Sequence, residues 1–148
     1  MLERHEGHRS LTVLSAMLKI PKIYPEAVSV AEIREFFDDD HVHAALIVNG
    51  RHLVSVVERG DLTTAAAALP AALFGQLADR VVRADRDLSS VYLAMVSAGR
   101  RRLAVVSPSG DLLGLLCLKR TGRGFCSDQD VAARAAERSA VADCAASD

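Results

Sequence analysis

Residues 44–62 read AALIVNGRHLVSVVERGDL, and the fold of the chain turns on this stretch. Ala45 to Val48 is a short apolar run, Asn49-Gly50 suits the two positive-φ positions of a type I′ turn, and Leu53 to Val57 is a second apolar run. The pattern predicts a β-hairpin. Neither run alternates apolar with polar residues as a half-wet strand would, so both faces of the hairpin are expected to be covered. Glu58-Arg59-Gly60-Asp61 then puts a carboxylate where the second strand gives way to helix.

The pattern returns at residues 103–120, where Leu103 to Val106 and Leu112 to Leu118 flank the turn Ser107-Pro108-Ser109-Gly110. Val30 aligns with Leu88, Ile33 with Val91 and Leu46–Val48 with Ala104–Val106, all at an offset of 58. One extra residue in the second turn makes the offset 59, so Ser55 falls on Gly114, Glu58 on Cys117 and Asp61 on Arg120. Each half reads as a brief strand, a helix, a hairpin and a closing helix. A half this small does not bury its own sheet, so the expected unit is two halves packed face to face, with their helices between the sheets.

Outside the hairpins, Leu11, Val13, Leu14, Met17 and Leu18 recur at helical spacing ahead of Pro21, and Lys22-Ile23-Tyr24 is a brief strand. Ser29 can cap a helix with Glu32 three residues on and Val30, Ile33, Phe36 and Phe37 as its apolar stripe, ending in Asp38-Asp39-Asp40. Ala65 to Ala68 continues a helix that Pro70 breaks, and Leu73, Phe74, Leu77 and Ala78 begin another. Val81-Val82 is the next strand, and Asp87 or Ser89 can cap a helix over Leu88, Val91, Leu93, Met95 and Val96 that ends at Gly99. The units are then a mobile stretch over 1–9, a first repeat over 10–69, a second over 70–123 and a tail over 124–148. Ser127 with Asp130 predicts a tail helix through Val131, Ala135 and Val141 that frays from Cys144 onward.

The chain has 148 residues, half of them hydrophobic and a quarter charged, with a net charge of −1. That is enough for one globular domain with a core that needs neither disulfide nor metal. The near-neutral balance argues against a general nucleic-acid binder, which needs excess Lys and Arg to displace counterions. The three cysteines, Cys117, Cys126 and Cys144, form no CxxC pair, and reduced thiols are the simpler reading. MLERHEGHRS is charged from its third residue, so the expectation is a cytoplasmic protein without signal peptide or membrane span.

This order of elements, the strand entries HVHAALIV and GRRRLAVV, and SVVERGDL as a variant of a G-h-h-T-x-x-D-h ending (h, apolar) resemble a tandem pair of cystathionine-β-synthase (CBS) domains over about residues 12–123. The resemblance implies an α/β (α+β) fold: two CBS repeats, each a small sheet with packed helices, related by a pseudo-twofold axis. It implies two clefts that in many relatives bind AMP, ADP, ATP or S-adenosylmethionine, and head-to-head pairing into dimers. Asp61 matches the carboxylate that holds the ribose hydroxyls in ligand-binding members. Ser55 replaces the family's glycine, tolerable only if the backbone there does not need positive φ. Glu58 replaces its threonine or serine, where it would repel a phosphate. In the second half Gly114 is kept, but Cys117 and Arg120 replace the threonine and aspartate. His43 and its counterpart Arg101, with Arg100 and Arg102, stand where basic groups often reach phosphates. Lys119 and Arg120 are further anion candidates, and Ile23-Tyr24 and Val82-Arg83 would lie beside the base.

Each reading has a plainer competitor. Asp61 can serve as a helix cap, and Arg100–Arg102 as a solvated loop in which Arg101 and Arg102 point to opposite faces. His41-x-His43 shares a strand face but lacks a third ligand for a metal, Cys117 reads as an inert core thiol, and the triple aspartate reads as a solvated helix end. No catalytic motif is present. Two functions follow: a non-catalytic sensor of an adenosine ligand that signals to an effector protein, or a degenerate pair acting as a ligand-free homodimerisation scaffold.

Overall fold

A computed structural model describes residues 11–40 and 42–127. The stretch 1–9, His41 and the tail helix expected after Ser127 lie outside the described residues. The elements are α1 (Val13–Ala16), β1 (Ile23–Pro25), α2 (Val30–Phe36), β2 (Ala44–Asn49), β3 (His52–Glu58), 3-10 turns over Arg59–Leu62 and Ala71–Phe74, β4 (Val81–Arg83), α3 (Leu88–Ala98), β5 (Arg102–Val106) and β6 (Leu112–Cys117). They make two three-stranded sheets, β1-β2-β3 and β4-β5-β6, in which the first pair is parallel and the second antiparallel. This is the mixed α/β pair of repeats the sequence predicts.

The local signals act where expected. Ser29 Oγ accepts from the Glu32 N–H at 3.1 Å, Asp87 rather than Ser89 caps α3 by accepting from the Ser90 N–H at 2.9 Å, and Gly99 closes α3 with φ +67°. The first hairpin turn is displaced by one residue. Asn49 pairs with His52, so the turn residues are Gly50 and Arg51, and only Gly50 has positive φ. The cause is a bulge: the register shifts between Ile47 and Val48, leaving Val54 as the extra residue and shortening the loop to two. β6 carries the same irregularity at Leu113, which stands 59 residues after Val54.

The two sheets pack directly on each other. Leu46, Val48, Leu53 and Val56 of the first meet Ala104 of the second, with Val81, Val106, Leu112 and Leu115 alongside. The opposite face of the first sheet (Ala45, Ile47, Val57) receives Val30, Ile33 and Phe37 around α2, and that of the second (Leu103, Val105, Leu116) receives Val91 and Met95 of α3 and Val13 of α1. The expectation that helices lie between the sheets is therefore corrected: the helices are the outer layers. Each hairpin is apolar on both faces because one meets its counterpart and the other meets a helix. The hairpin tips also join, Leu112 N–H donating to Arg51 O at 2.8 Å and Leu53 N–H to Gly110 O at 3.1 Å. His52 pairs there with Asp111, its own counterpart at the offset of 59, so the pseudo-twofold passes between them.

Each sheet is extended by the segment that leads into the other half. Leu18 exchanges backbone hydrogen bonds with Leu115 at 2.7 and 3.0 Å, and Gln76 with Val56 at 3.1 and 3.2 Å. Residues 17–18 are thus extended rather than helical, and α1 is one turn long. The close approach also explains Ser55. A Cβ on Gly75 would strike Ser55 Oγ and Val56 O, and one on Gly114 would strike Leu18 O and Met17 Sδ. The first half therefore has serine on the strand and glycine opposite; the second has glycine on the strand and methionine opposite. Ser55 itself does not have positive φ.

Among the described residues the closing helices are absent. After β3 comes only the 3-10 turn Arg59–Leu62, and after β6 the chain doubles back so that Leu118 bridges Phe125. Ala65–Ala68 is irregular because its backbone is used elsewhere: Ala67 O and Leu69 O accept from the Ala31 and Val30 N–H groups at 3.0 and 2.8 Å, satisfying the orphan donors of α2. That docking outweighs alanine's helix propensity. Past Pro70, the expected second helix shrinks to the 3-10 turn Ala71–Phe74.

Candidate functional site

β3 delivers Glu58 and the following 3-10 turn delivers Asp61, whose Oδ2 accepts from the Glu58 N–H at 2.8 Å. The turn is capped by this contact. The same carboxylate is gripped by Arg80, which reaches across from the residue before β4: Nη1 lies 2.6 Å from Oδ2 and Nη2 3.1 Å from Oδ1. Arg80 Nη1 also donates to Val56 O at 2.8 Å, and Nη2 stands 3.4 Å from Glu58 Oε1. Only 8% of Arg80 is exposed. Its pKa is raised, chiefly by the hydrogen bond to Asp61 against the opposing effect of burial, with Glu58 and the Asp61 charge adding to the rise. Asp79, at φ +64°, makes the turn that turns Arg80 inward.

Glu58 is paired a second time, its Oε2 accepting from Arg100 Nη1 at 2.6 Å. Two carboxylates and two guanidiniums thus form one chain, Asp61–Arg80–Glu58–Arg100, which ties the end of β3 to the entries of β4 and β5. The phosphate repulsion expected from Glu58 is offset by these partners. Asp61 is not the N-cap of a closing helix but the third residue of a 3-10 turn whose N-cap is Glu58, and three donors already occupy its carboxylate.

Beside this chain opens a cleft of about 400 Å³ lined by His43, Glu58, Arg59, Arg100, Arg101 and Arg102, among others. Arg59 is braced by Phe37 O, Asp39 O and Val42 O at 2.5–2.9 Å and lies over the Phe37 ring, so it also answers the negative C-terminal end of α2. Arg101 Nε donates to Leu118 O at 3.3 Å and Arg102 Nη1 to Arg101 O at 3.3 Å. Four guanidiniums against one paired carboxylate give the cleft a positive balance, suited to an anion.

The structure therefore brings His43, Glu58, Arg101 and Arg102 together, with Asp61 outside the cleft and joined to Glu58 through Arg80. Ile23 and Tyr24 lie on β1 instead. Tyr24 packs edge-on to Phe36 at 5.2 Å under Lys22, and burial, with Glu32 and Glu35 nearby, raises its pKa. Val82 lines a different cavity of about 370 Å³ under α3, with Val91, Met95 and Leu103. Arg83 is exposed and pairs with Asp85 at 2.9 Å, and Lys119 and Arg120 are exposed beyond β6. Cys117 meets Cys126 across the doubled-back chain, with sulfurs 2.7 Å apart. Arg80 and Arg59 went unrecognised in the sequence. Their one signal is a lone arginine before a strand and another just after one.

No family model matches the chain, and no curated protein does. Solved structures do. The CBS pair domain of a proposed Mg²⁺ transporter from Shewanella oneidensis MR-1 aligns with a TM-score of 0.66 at 18% identity, over 80% of this chain and 71% of that one. CBSX2 in complex with AMP aligns at 0.63 and 20% identity over 87% and 99%. A CBS domain protein from Pyrobaculum aerophilum complexed with AMP aligns at 0.59 and 21% identity over 75% and 94%. The chain thus has the fold of a tandem CBS pair. No helix among the described residues is long and apolar enough to cross a membrane.

Proposed function

We propose that this CBS pair is a non-catalytic regulatory module that takes a phosphate-bearing adenosine ligand in the arginine cleft and signals its occupancy to a partner protein. The observation that carries the reading is the convergence of Arg59, Arg100, Arg101 and Arg102 on one cleft where the two halves meet. AMP in two proteins of the same fold supports the adenosine part. Because Asp61 is engaged by Arg80, recognition rests on phosphate more than on ribose. Because Glu58 is neutralised, ADP and ATP are admitted as readily as AMP, whereas S-adenosylmethionine, which has no phosphate, is disfavoured. A thermal-shift panel of these four ligands tests this. At 100 times its dissociation constant a ligand adds about 2.7 kcal/mol, so the nucleotides should raise the midpoint and S-adenosylmethionine should not. If none of the four acts, the scaffold reading takes its place.

One observation favours homodimerisation in either case. Leu14 of α1 and Leu93 and Val96 of α3 are 51%, 65% and 49% exposed on the outer layer of the second half, an apolar area that a second copy would cover. Light scattering at tens of micromolar should give twice the chain mass; a monomer would exclude it.

A further inference from the structure

Cys117 closes β6, and the chain then passes through Gly122 and Gly124, both at positive φ, and returns antiparallel. Cys126 N–H donates to Cys117 O at 2.7 Å and Lys119 N–H to Gly124 O at 2.8 Å, which sets Cys126 directly opposite Cys117. Their sulfurs are 2.7 Å apart and unbridged, covered by Leu18 and Leu115. The returning segment is held on its other side by Phe125, edge-on to Tyr92 at 6.0 Å, and by the Tyr92 hydroxyl donating to Gly122 O at 2.5 Å. Two thiols brought face to face by backbone register need little movement to reach the bonded S–S distance of about 2.05 Å.

We propose that Cys117 and Cys126 are an oxidisable pair whose disulfide clasps residues 118–126 against β6. With hydrogen peroxide as oxidant, one thiolate attacks a peroxide oxygen, the O–O bond breaks, and a sulfenic acid and hydroxide result. The second sulfur attacks the first, the S–S bond forms and the S–O bond breaks. In sum two thiols lose two electrons and two protons, and one peroxide becomes two waters. Both sulfurs are buried, so attack waits on local opening of the segment, whose Lys119, Arg120, Thr121 and Arg123 are already exposed. The bond then fixes the chain that carries Lys119 and Arg120 and leads into the tail.

The test uses the full chain with Cys144→Ser, reduced, freed of reductant and exposed to hydrogen peroxide. The expected product is an intact chain lighter by two hydrogens, no longer titrating with a thiol reagent. Its tryptic digest should join the peptide ending at Lys119 to the peptide starting at Gly124, and dithiothreitol should reverse both results and the accompanying rise in thermal midpoint. Cys117→Ser in the same background should give no such crosslink. Separate over-oxidation of the two cysteines, disulfides only between chains, or two thiols persisting after treatment would each overturn the proposal.

Discussion

Asp61 accepts from the Glu58 backbone and from both terminal nitrogens of Arg80, so its first role is to neutralise a buried cation and close a turn. Asp61→Ala strips buried Arg80 of its bidentate partner and leaves it only Glu58 at 3.4 Å and Val56 O, which should cost about 1.5–3 kcal/mol in a urea melt. Asp61→Ala with Arg80→Met, which removes both charges, should recover most of that. A small loss in the single variant, or no recovery in the double, would place the pair's worth elsewhere. The raised Arg80 pKa has a pH consequence whose sign is fixed: the folded state holds the proton more tightly, so the contribution is whole below the unfolded arginine value and is lost only at extreme alkalinity. Tyr24 follows the same rule nearer to reach. Its phenol should titrate above the ordinary tyrosine value of about 10 in a Tyr92→Phe chain followed by ultraviolet absorbance, with stability falling as pH rises through it.

Among the elements, the caps and the second hairpin were readable from sequence because Ser29, Asp87 and Gly99 act on neighbours within a few residues. The closing helix at Ala65–Ala68 was not, since what unmakes it is a contact with α2 more than thirty residues away in sequence. The displaced turn failed for a similar reason: a bulge at Val54, invisible in an apolar run, moved the register by one. Arg80 was hidden because its partner Asp61 lies nineteen positions earlier, on another element. The extended segments at 17–18 and 75–76 yield a prediction at this scale. Gly114→Ala drives a methyl into Leu18 O, backbone that cannot step aside cheaply, and should cost about 1–3 kcal/mol by thermal melt. Gly60→Ala, whose added carbon meets nothing, should be close to neutral.

In the whole molecule, the exchange of lead-in segments means that neither half completes its sheet without the other. The two should therefore unfold together. Tyr24 reports on the first half and Tyr92 on the second, so single-tyrosine chains made by Tyr92→Phe and Tyr24→Phe should show coincident urea transitions; separated midpoints would mean independent halves. The same exchange puts the arginine cleft where the halves meet, and an anion there would bind the strap of Arg59 to that of Arg100–Arg102 and so tighten the pair. Calorimetry of AMP binding to the wild type, to Arg101→Ala with Arg102→Ala, and to Arg83→Ala tests this account most directly. The double variant should lose about tenfold or more in affinity, at roughly 1.5–3 kcal/mol for each charge-assisted hydrogen bond lost, and Arg83→Ala should match the wild type. Unchanged affinity in the double variant, or an equal loss in Arg83→Ala, would contradict the placement of the ligand in the arginine cleft.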